Sequence, residues 1–209
     1  MFDYKDIWNK KHKDYFSGTI VYDDWLDHYS NIITQSKTRV IELGCGAGNN
    51  LLYLMEKGKE VIACDYSDEA INIINEHLPN VQTSQFDMTE CLPIESDFTD
   101  LIIADLCLHY FSYQDTVNIL NEIKRVLVNN GYLLFRVNSI NDTNHGAMES
   151  KKLEKHYFEV EGIKKRFFDL DDLLDFFKDW EIVELSEEQM TRYEKPKVLW
   201  KGLVRNIKR

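Results

Sequence analysis

Short apolar runs alternate along the chain with stretches whose apolar residues recur at helical spacing, and this alternation predicts a parallel α/β sheet. Residues 39–44 (RVIELG) predict a first strand, and 49–57 a helix with Leu51, Leu54 and Met55 on one face and Gly58 as its stop. A second strand follows at 60–65. Ser67 then suits a helix N-cap, with Asp68 and Glu69 favourable in the first turn. Ala70, Ile71, Ile74 and Leu78 give that helix its buried face, and Pro79 ends it. Residues 80–86 predict a third strand, and the near-continuous apolar run within 100–111 (DLIIADLCLHYF) a fourth, buried on both faces as at a sheet centre. Val117, Leu120, Ile123 and Leu127 mark the next helix, and Asn129-Asn130-Gly131 turns the chain into a fifth strand at 132–138. A helix from Asp169 to Phe177 and closing strands at 180–188 and 197–207 complete the pattern.

Two segments fall outside these units. The first 38 residues are predicted helical and are rich in aromatics. Residues 139–168 form a long connection, of the kind that is usually functional or partly helical. With no repeat, low-complexity tract or linker, residues 1–209 are expected to form one domain, with 1–38 as a helical lid and 139–168 as an active-site insertion.

Between the first strand and its helix lies Glu42-Leu43-Gly44-Cys45-Gly46-Ala47-Gly48. Glycines serve where backbone turns tightly or a ligand approaches with no Cβ in the way. The second strand ends in Asp65, where a carboxylate can accept both hydroxyls of a ribose. Together they predict a nucleotide-bearing cofactor. A dinucleotide wants G-x-G-x-x-G, with its pyrophosphate at the helix N-terminus. Here residue 49 is Asn and the spacing is G-x-G-x-G, while Glu42 just before the loop would oppose a pyrophosphate. The same carboxylate suits a ligand carrying an ammonium and a sulfonium, which is S-adenosylmethionine (SAM).

VIELGCGAGNN resembles motif I of the class I SAM-dependent methyltransferases, and ACDYS resembles their ribose-binding strand end. The resemblance implies cofactor contacts from Glu42, Gly44, Cys45, Gly46, Gly48 and Asn49, and from Asp65, Tyr66 and Ser67. FDMTE is similar to the segment whose aspartate meets the adenine amino group, here Asp87, with Met88 lining the ring. DLIIADLCLHYF resembles motif IV, where Asp105 and Leu106 would border the methionine part of SAM. NEIKRVLVNNGYLLFRV is similar to the family's next helix, turn and fifth strand, so the likeness runs in order over residues 39–138. It implies a Rossmann-like, seven-stranded, mostly parallel sheet with helices on both faces and an antiparallel last strand. FFDLDDLLDFFKDWEIVEL further resembles the end of tellurite-resistance-type and related small-molecule methyltransferases.

Methyl transfer from SAM is an in-line displacement at an activated carbon, so alignment and electrostatics are the protein's main task. A general base is needed only where the acceptor must lose a proton. His109 and Tyr110 follow the fourth strand at its carboxyl end, where open α/β sheets bind ligands. His109 is a candidate base or a packing residue, and Tyr110 a candidate substrate contact. Arg136 and Asn138 end the fifth strand on the same rim. Arg136 either holds an acceptor carboxylate in a bidentate pair or joins a structural ion pair; Asn138 is a candidate substrate contact. His145 lies in the polar cluster that begins the long connection and is the second catalytic candidate. His109, Arg136 and His145 are expected to face one pocket. Trp8, Tyr15, Phe16, Tyr22 and Trp25 form a lid or simply pack, and a lid would exclude water during transfer.

Composition narrows the partners. The net charge of -11 opposes a nucleic-acid backbone or an anionic membrane as main partner. The basic stretch from Lys197 to Arg209 reads as a solvated last strand, and the acidic residues of 169–188 as a solvated helix face and strand edge. The four cysteines include no C-x-x-C pair, and the start of the chain lacks the apolar core of a signal peptide, so reduced thiols in the cytoplasm are expected. His12, His28, His77 and His156 show no zinc-ligand spacing, and no metal is expected. The motif IV position lacks an Asn-Pro-Pro-Tyr type segment. The expectation is a SAM-dependent enzyme acting on a small molecule, with neither nucleic acid nor membrane as partner. The alternatives are a NAD(P)-dependent oxidoreductase and a SAM-binding protein without catalysis.

Overall fold

The computed structural model describes residues 4–147 and 151–208. Of the two segments placed outside the repeating units, residues 1–3 and 148–150 thus lie outside the described residues. The chain opens with helices α1 (Tyr4–Tyr15) and α2 (Ser30–Gln35), the second entered through a 3₁₀ turn over Trp25–Tyr29. Then come β1 (Val40–Leu43), α3 (Asn49–Glu56), β2 (Val61–Asp65), α4 (Asp68–His77), β3 (Gln82–Gln85) and β4 (Thr99–Asp105). The rest is α5 (Tyr113–Val126), β5 (Leu127–Asn138), β6 (Lys151–Glu154), β7 (Tyr157–Val160), β8 (Ile163–Arg166), α6 (Leu170–Phe176), β9 (Trp180–Met190) and β10 (Lys197–Asn206).

Seven strands form the main sheet in the order β3-β2-β1-β4-β5-β10-β9. Six run parallel; β10 is inserted antiparallel between β5 and β9. Strand alternation feeds a separate core on each face. Ile41, Ile102, Leu133 and Phe135 pack with Ile119 and Ile123 of α5 and Leu173 of α6. Val40, Leu101, Ile103 and Leu134 pack on the other face with Leu51 and Leu54 of α3 and Ile74 of α4. By the same alternation Glu42, Asp105, Arg136 and Asn138 extend this second face to the carboxyl ends of β1, β4 and β5. One strip of polar residues therefore crowns an apolar layer.

Several details depart from the pattern read in the chain. Tyr53 is fully buried on α3, whereas Met55 is 37% exposed. The fourth strand ends at Asp105, where Leu106 turns with φ +53 into a 3₁₀ turn over Leu108–Tyr110. Among its described residues the connection 139–168 is not helical beyond a 3₁₀ turn at Thr143–His145; β6, β7 and β8 form a three-stranded antiparallel meander. Its β7–β8 turn is Glu161-Gly162, both at positive φ (50 and 78), the geometry of a two-residue hairpin turn. Among the described residues no helix is long and apolar enough to cross a membrane.

The antiparallel insertion leaves no room at Gly202. A Cβ there would stand 2.2 Å from Cζ of Phe135, which is fully buried and stacked on Phe177 at 4.7 Å. Gly202→Ala should cost ~1–3 kcal/mol, the scale of overpacking in a rigid core. Urea denaturation with an unchanged midpoint would show that β5 and β10 are not this closely packed.

Candidate functional site

The β1–α3 loop needs its glycines for space as well as for backbone angle. Gly44, Gly46 and Gly48 have φ of +66, +50 and +85. A Cβ on Gly44 would lie 2.4 Å from the Cβ of Cys107, and one on Gly48 2.7 Å from Ile74. At Gly46 the nearest atom is Cε1 of His12 at 3.2 Å. The loop leans on β2, for the Asp65 carboxylate accepts from Gly46 N–H through one oxygen and from Ser67 N–H through the other, both at 2.9 Å. Each oxygen keeps lone pairs for a ligand hydroxyl. Ser67 caps α4, its Oγ accepting from Ala70 N–H at 3.2 Å.

Above the carboxyl ends of β1, β2 and β4 lies a cavity of about 690 Å³, within the range of small-molecule and cofactor sites. Gly44, Gly46, Asp65, Tyr66, Asp87, Met88, Leu106 and Cys107 contribute to its lining. Helix α1 presents Tyr4, Trp8 and His12, a stripe at i, i+4, i+8, and the meander presents Tyr157 and Lys164. Trp8 meets the ring of Tyr110 edge-on at 4.6 Å, and the Lys164 ammonium lies 5.6 Å from the Tyr4 ring centre. Helix α1 buries no residue fully; it is tied to the start of α4 through Ser67 Oγ to Asn9 Oδ1 at 2.7 Å and Lys5 to Asp68 at 3.0 Å. Burial holds the His12 imidazole below its ordinary value against the opposing pull of Asp65 and Glu69, which favours the neutral ring.

Beneath this cavity runs a buried polar network. Arg136 donates from Nε to Asp105 at 2.6 Å, from Nη2 to the other Asp105 oxygen at 2.7 Å, and from Nη2 to Asp23 at 2.8 Å. Arg192 reaches the same Asp23 oxygen at 2.6 Å. Trp25 lies under the Arg136 guanidinium at 4.4 Å and donates from Nε1 to Asn50, whose amide donates to Glu42 at 2.8 Å. Burial works against both ions, yet the two carboxylates raise the Arg136 value and the two arginines lower that of Asp23. Glu42 has no such cation. Burial, then Asp105 and Asp65, push it up to about 8 despite the Asn50 hydrogen bond, and its Oε2 has no partner among the described residues.

The sequence candidates divide accordingly. Gly44, Gly46, Asp65, Tyr66, Asp87, Met88, Leu106 and Tyr110 line the cavity. Glu42, Cys45, Gly48, Asn49, Ser67 and Asp105 are absent from its lining and act from behind it, Asn49 by donating to the Val21 carbonyl at 2.5 Å. His109, Arg136 and His145 are not brought together in it. His109 is 2% exposed, its ring tilted against that of Tyr110 with centroids 4.2 Å apart. Arg136 fills the second role left open for it, the ion pair. His145 pairs through Nε2 with the Lys195 carbonyl at 3.2 Å, on the β9–β10 connection. Asn138 is 1% exposed. Sequence reasoning missed His12, Tyr157, Lys164, Asn50 and Asp23. The i, i+4, i+8 stripe of α1 was the one available signal. His156 also meets carboxylates, Asp172 at 2.6 Å and Asp169 at 3.7 Å, but both belong to the capping box of α6.

Glu42 makes stability depend on pH in a defined direction. An unfolded carboxyl ionises near 4.5, whereas the folded one holds its proton to about 8. Between those values the folded chain carries the extra proton, so stability falls as pH rises, by ~1.4 kcal/mol per pH unit from this group. Glu42→Gln should flatten that slope in denaturation measured from about pH 5 to 8. The same slope in parent and variant would mean that Glu42 is not held protonated.

Comparison with known proteins agrees with this geometry. Residues 41–135 match the family model described as a methyltransferase domain. An uncharacterized methyltransferase of Staphylococcus carnosus is 27% identical over 191 residues, covering 91% of this chain and 78% of the relative. TehB of Haemophilus influenzae is 26% identical over 186 residues, covering 85% of this chain and 58% of its own length. The chain spans about half the length of other curated relatives it matches, 49% and 45%. A SAM-dependent methyltransferase structure from Methanosarcina mazei superposes with a TM-score of 0.74 at 16% identity, over 91% of this chain and all of the other. The glycine loop, the Asp65 strand end and the 3-2-1-4-5-7-6 sheet order thus stand together with these likenesses: residues 41–135 match a methyltransferase domain, carried on a Rossmann-like methyltransferase fold.

Proposed function

We propose that this chain transfers the methyl group of SAM to a small-molecule acceptor. The observation that carries this reading is the cavity itself, which joins the glycine loop, Asp65 and the Asp87-Met88 segment and is roofed by α1 and the meander. The residues present fit SAM. Gly46 lines the cavity with no side chain of its own, Asp65 has lone pairs to accept ribose hydroxyls, and Asp87 with Met88 offers a hydrogen-bonding edge and an apolar surface for adenine. The partnerless Glu42 oxygen lies behind them, on a carboxyl that is protonated in the free chain and would become a counter-charge only by ionising against a cationic ligand.

When bound, SAM supplies a methyl carbon whose bond to sulfur breaks as the acceptor lone pair bonds to it, leaving a neutral thioether. The chain's own part is to align and to exclude water. Tyr4, Trp8 and His12 from one side and Tyr157 and Lys164 from the other give the cavity a removable roof, the arrangement a lid requires. His109 serves as a base only for an acceptor that must lose a proton; its neutral imidazole is in the right state to accept one.

A nucleic-acid acceptor is the second reading, because a Drosophila melanogaster relative, 29% identical over 140 residues, is named as a tRNA N(3)-methylcytidine methyltransferase. The net charge of -11 and the roofed cavity favour the small molecule. Incubation with methyl-labelled SAM and either bulk tRNA or a metabolite extract separates the two. Label should enter the metabolite fraction; label in tRNA alone would sink the proposal, and label in neither would favour binding without catalysis.

Asp65→Ala should weaken S-adenosylhomocysteine binding by ~1.5–3 kcal/mol in calorimetry, the scale for hydrogen bonds to a charged group. A chain that bound NADH and ignored S-adenosylhomocysteine would contradict the cofactor assignment. Hydrogen exchange should slow in both α1 and the meander when cofactor and acceptor bind, and exchange unchanged in α1 would rule out its part in the lid.

A further inference from the structure

The carboxyl ends of β4 and β5 hold polar groups that their surroundings leave unsatisfied. Asn138 is 1% exposed, yet neither its side-chain nitrogen Nδ2 nor its side-chain oxygen Oδ1 has a hydrogen-bond partner among the described residues. His109, 2% exposed, has an Nδ1 in the same condition. Each such buried atom costs ~1–3 kcal/mol, so its persistence points to a ligand that answers it.

Positive charge gathers around the same two side chains. Asn138 stands opposite Leu199 in the β5–β10 ladder, and alternation returns to this face at Lys197. The Lys197 side chain is 8% exposed, with Nζ 3.0 Å from Asp142. Lys165 of β8 has no ion-pair partner among the described residues. Burial together with Lys197 and Lys165 lowers the His109 value, and burial together with Lys197 and Lys11 lowers that of Lys165. Arg192 adds its charge against Lys197. Asp23, Asp105 and Asp142 are already engaged by Arg136, Arg192 and Lys197. In a chain of net charge -11, cations that disfavour one another have been collected beside two unsatisfied neutral groups. Tyr110 joins this cluster to the cavity, its ring in tilted contact with His109 and in edge contact with Trp8.

We propose that the methyl acceptor is a small anion, a carboxylate or a phosphate ester, whose negative group is held by Lys165 and Lys197 while Asn138 and His109 bond its neutral polar atoms. This rests on the methyltransferase reading and names the class of acceptor for it. Carboxylate and phosphate share the chemistry that the lysines recognise.

The test titrates the full chain, with and without saturating S-adenosylhomocysteine, against acetate, inorganic phosphate and neutral acetamide. Chloride keeps ionic strength constant, and the His109 ring carbon–proton resonance is the readout. Acetate or phosphate should shift that resonance saturably and acetamide should not; the anion that saturates at lower concentration separates carboxylate from phosphate. Lys165→Ala should raise the midpoint at least tenfold, and Lys165→Arg should restore most of it. Because Lys165 is part-exposed, neither change empties a core position. Acetamide saturating as acetate does, or Lys165→Ala leaving the midpoint unchanged, overturns the proposal. Calorimetry of S-adenosylhomocysteine on the same samples is read separately: its failure to bind would overturn the methyltransferase reading, while the titration without it still decides the anion site.

Discussion

The buried guanidinium of Arg136 organises the site. Its side chain is 3% exposed, and it holds β5 to β4 through both oxygens of Asp105 and to the N-terminal segment through Asp23. Taking such a charge out of water is costly, and removing one partner of a buried pair typically costs ~3–5 kcal/mol because the other is left uncompensated. The segment before α2 is therefore not free to lie elsewhere. Asp23 must meet Arg136 and Arg192, and Trp25 must cover the guanidinium face, which carries Trp25 Nε1 to Asn50 and hence to Glu42. One buried cation thereby fixes the relation between the N-terminal segment and the carboxyl edge of the sheet.

What lies above this network is held by weaker forces. Helix α1 is tied to α4 by the Ser67–Asn9 hydrogen bond and by the Lys5–Asp68 pair, each part-exposed and of the kind worth ~1 kcal/mol or less. With no fully buried side chain, α1 can leave the sheet without exposing core. The meander differs, since Phe158 and Val160 form a small core of their own with Ala147 and Phe167. A rigid floor, a self-supporting wall and a lightly held helix thus border one cavity and are held with very different firmness.

The sheet and the glycine-loop end of the cavity were legible in the chain because each rests on local rules. Strand-loop-helix periodicity, glycines at 44, 46 and 48, and a carboxylate ending β2 are contiguous features with one physical reading. The buried polar network beneath the cavity was not legible, because its residues meet only through tertiary structure. Asp23 and Arg136 are 113 residues apart in sequence, and nothing local indicates that they pair. The meander escaped for a different reason. Lys151-Lys152-Leu153-Glu154 is a weak strand by pattern, and Glu161-Gly162 is a turn only once flanking strands exist. His109, at the end of a recognisable strand, was placed correctly in the chain and yet lies behind Tyr110 rather than in the cavity lining.

Two buried groups show where this fold gives up stability at its site. Glu42 is kept protonated by burial and by the carboxylates near it, and His109 is kept deprotonated by burial and by lysines. They stand in fields of opposite sign, each near charge of the kind it would itself bear. Both remain neutral with an unpartnered atom. An apolar residue at either position would be easier to bury, so local consistency is broken at the carboxyl ends of β1 and just past β4 and kept through the layers beneath. A negative field around Glu42 and a positive one around His109 give the two ends of the site opposite electrostatic preferences, cationic ligand at one and anionic at the other. A sulfonium donor and an anionic acceptor would be sorted by those fields into the order that in-line transfer needs.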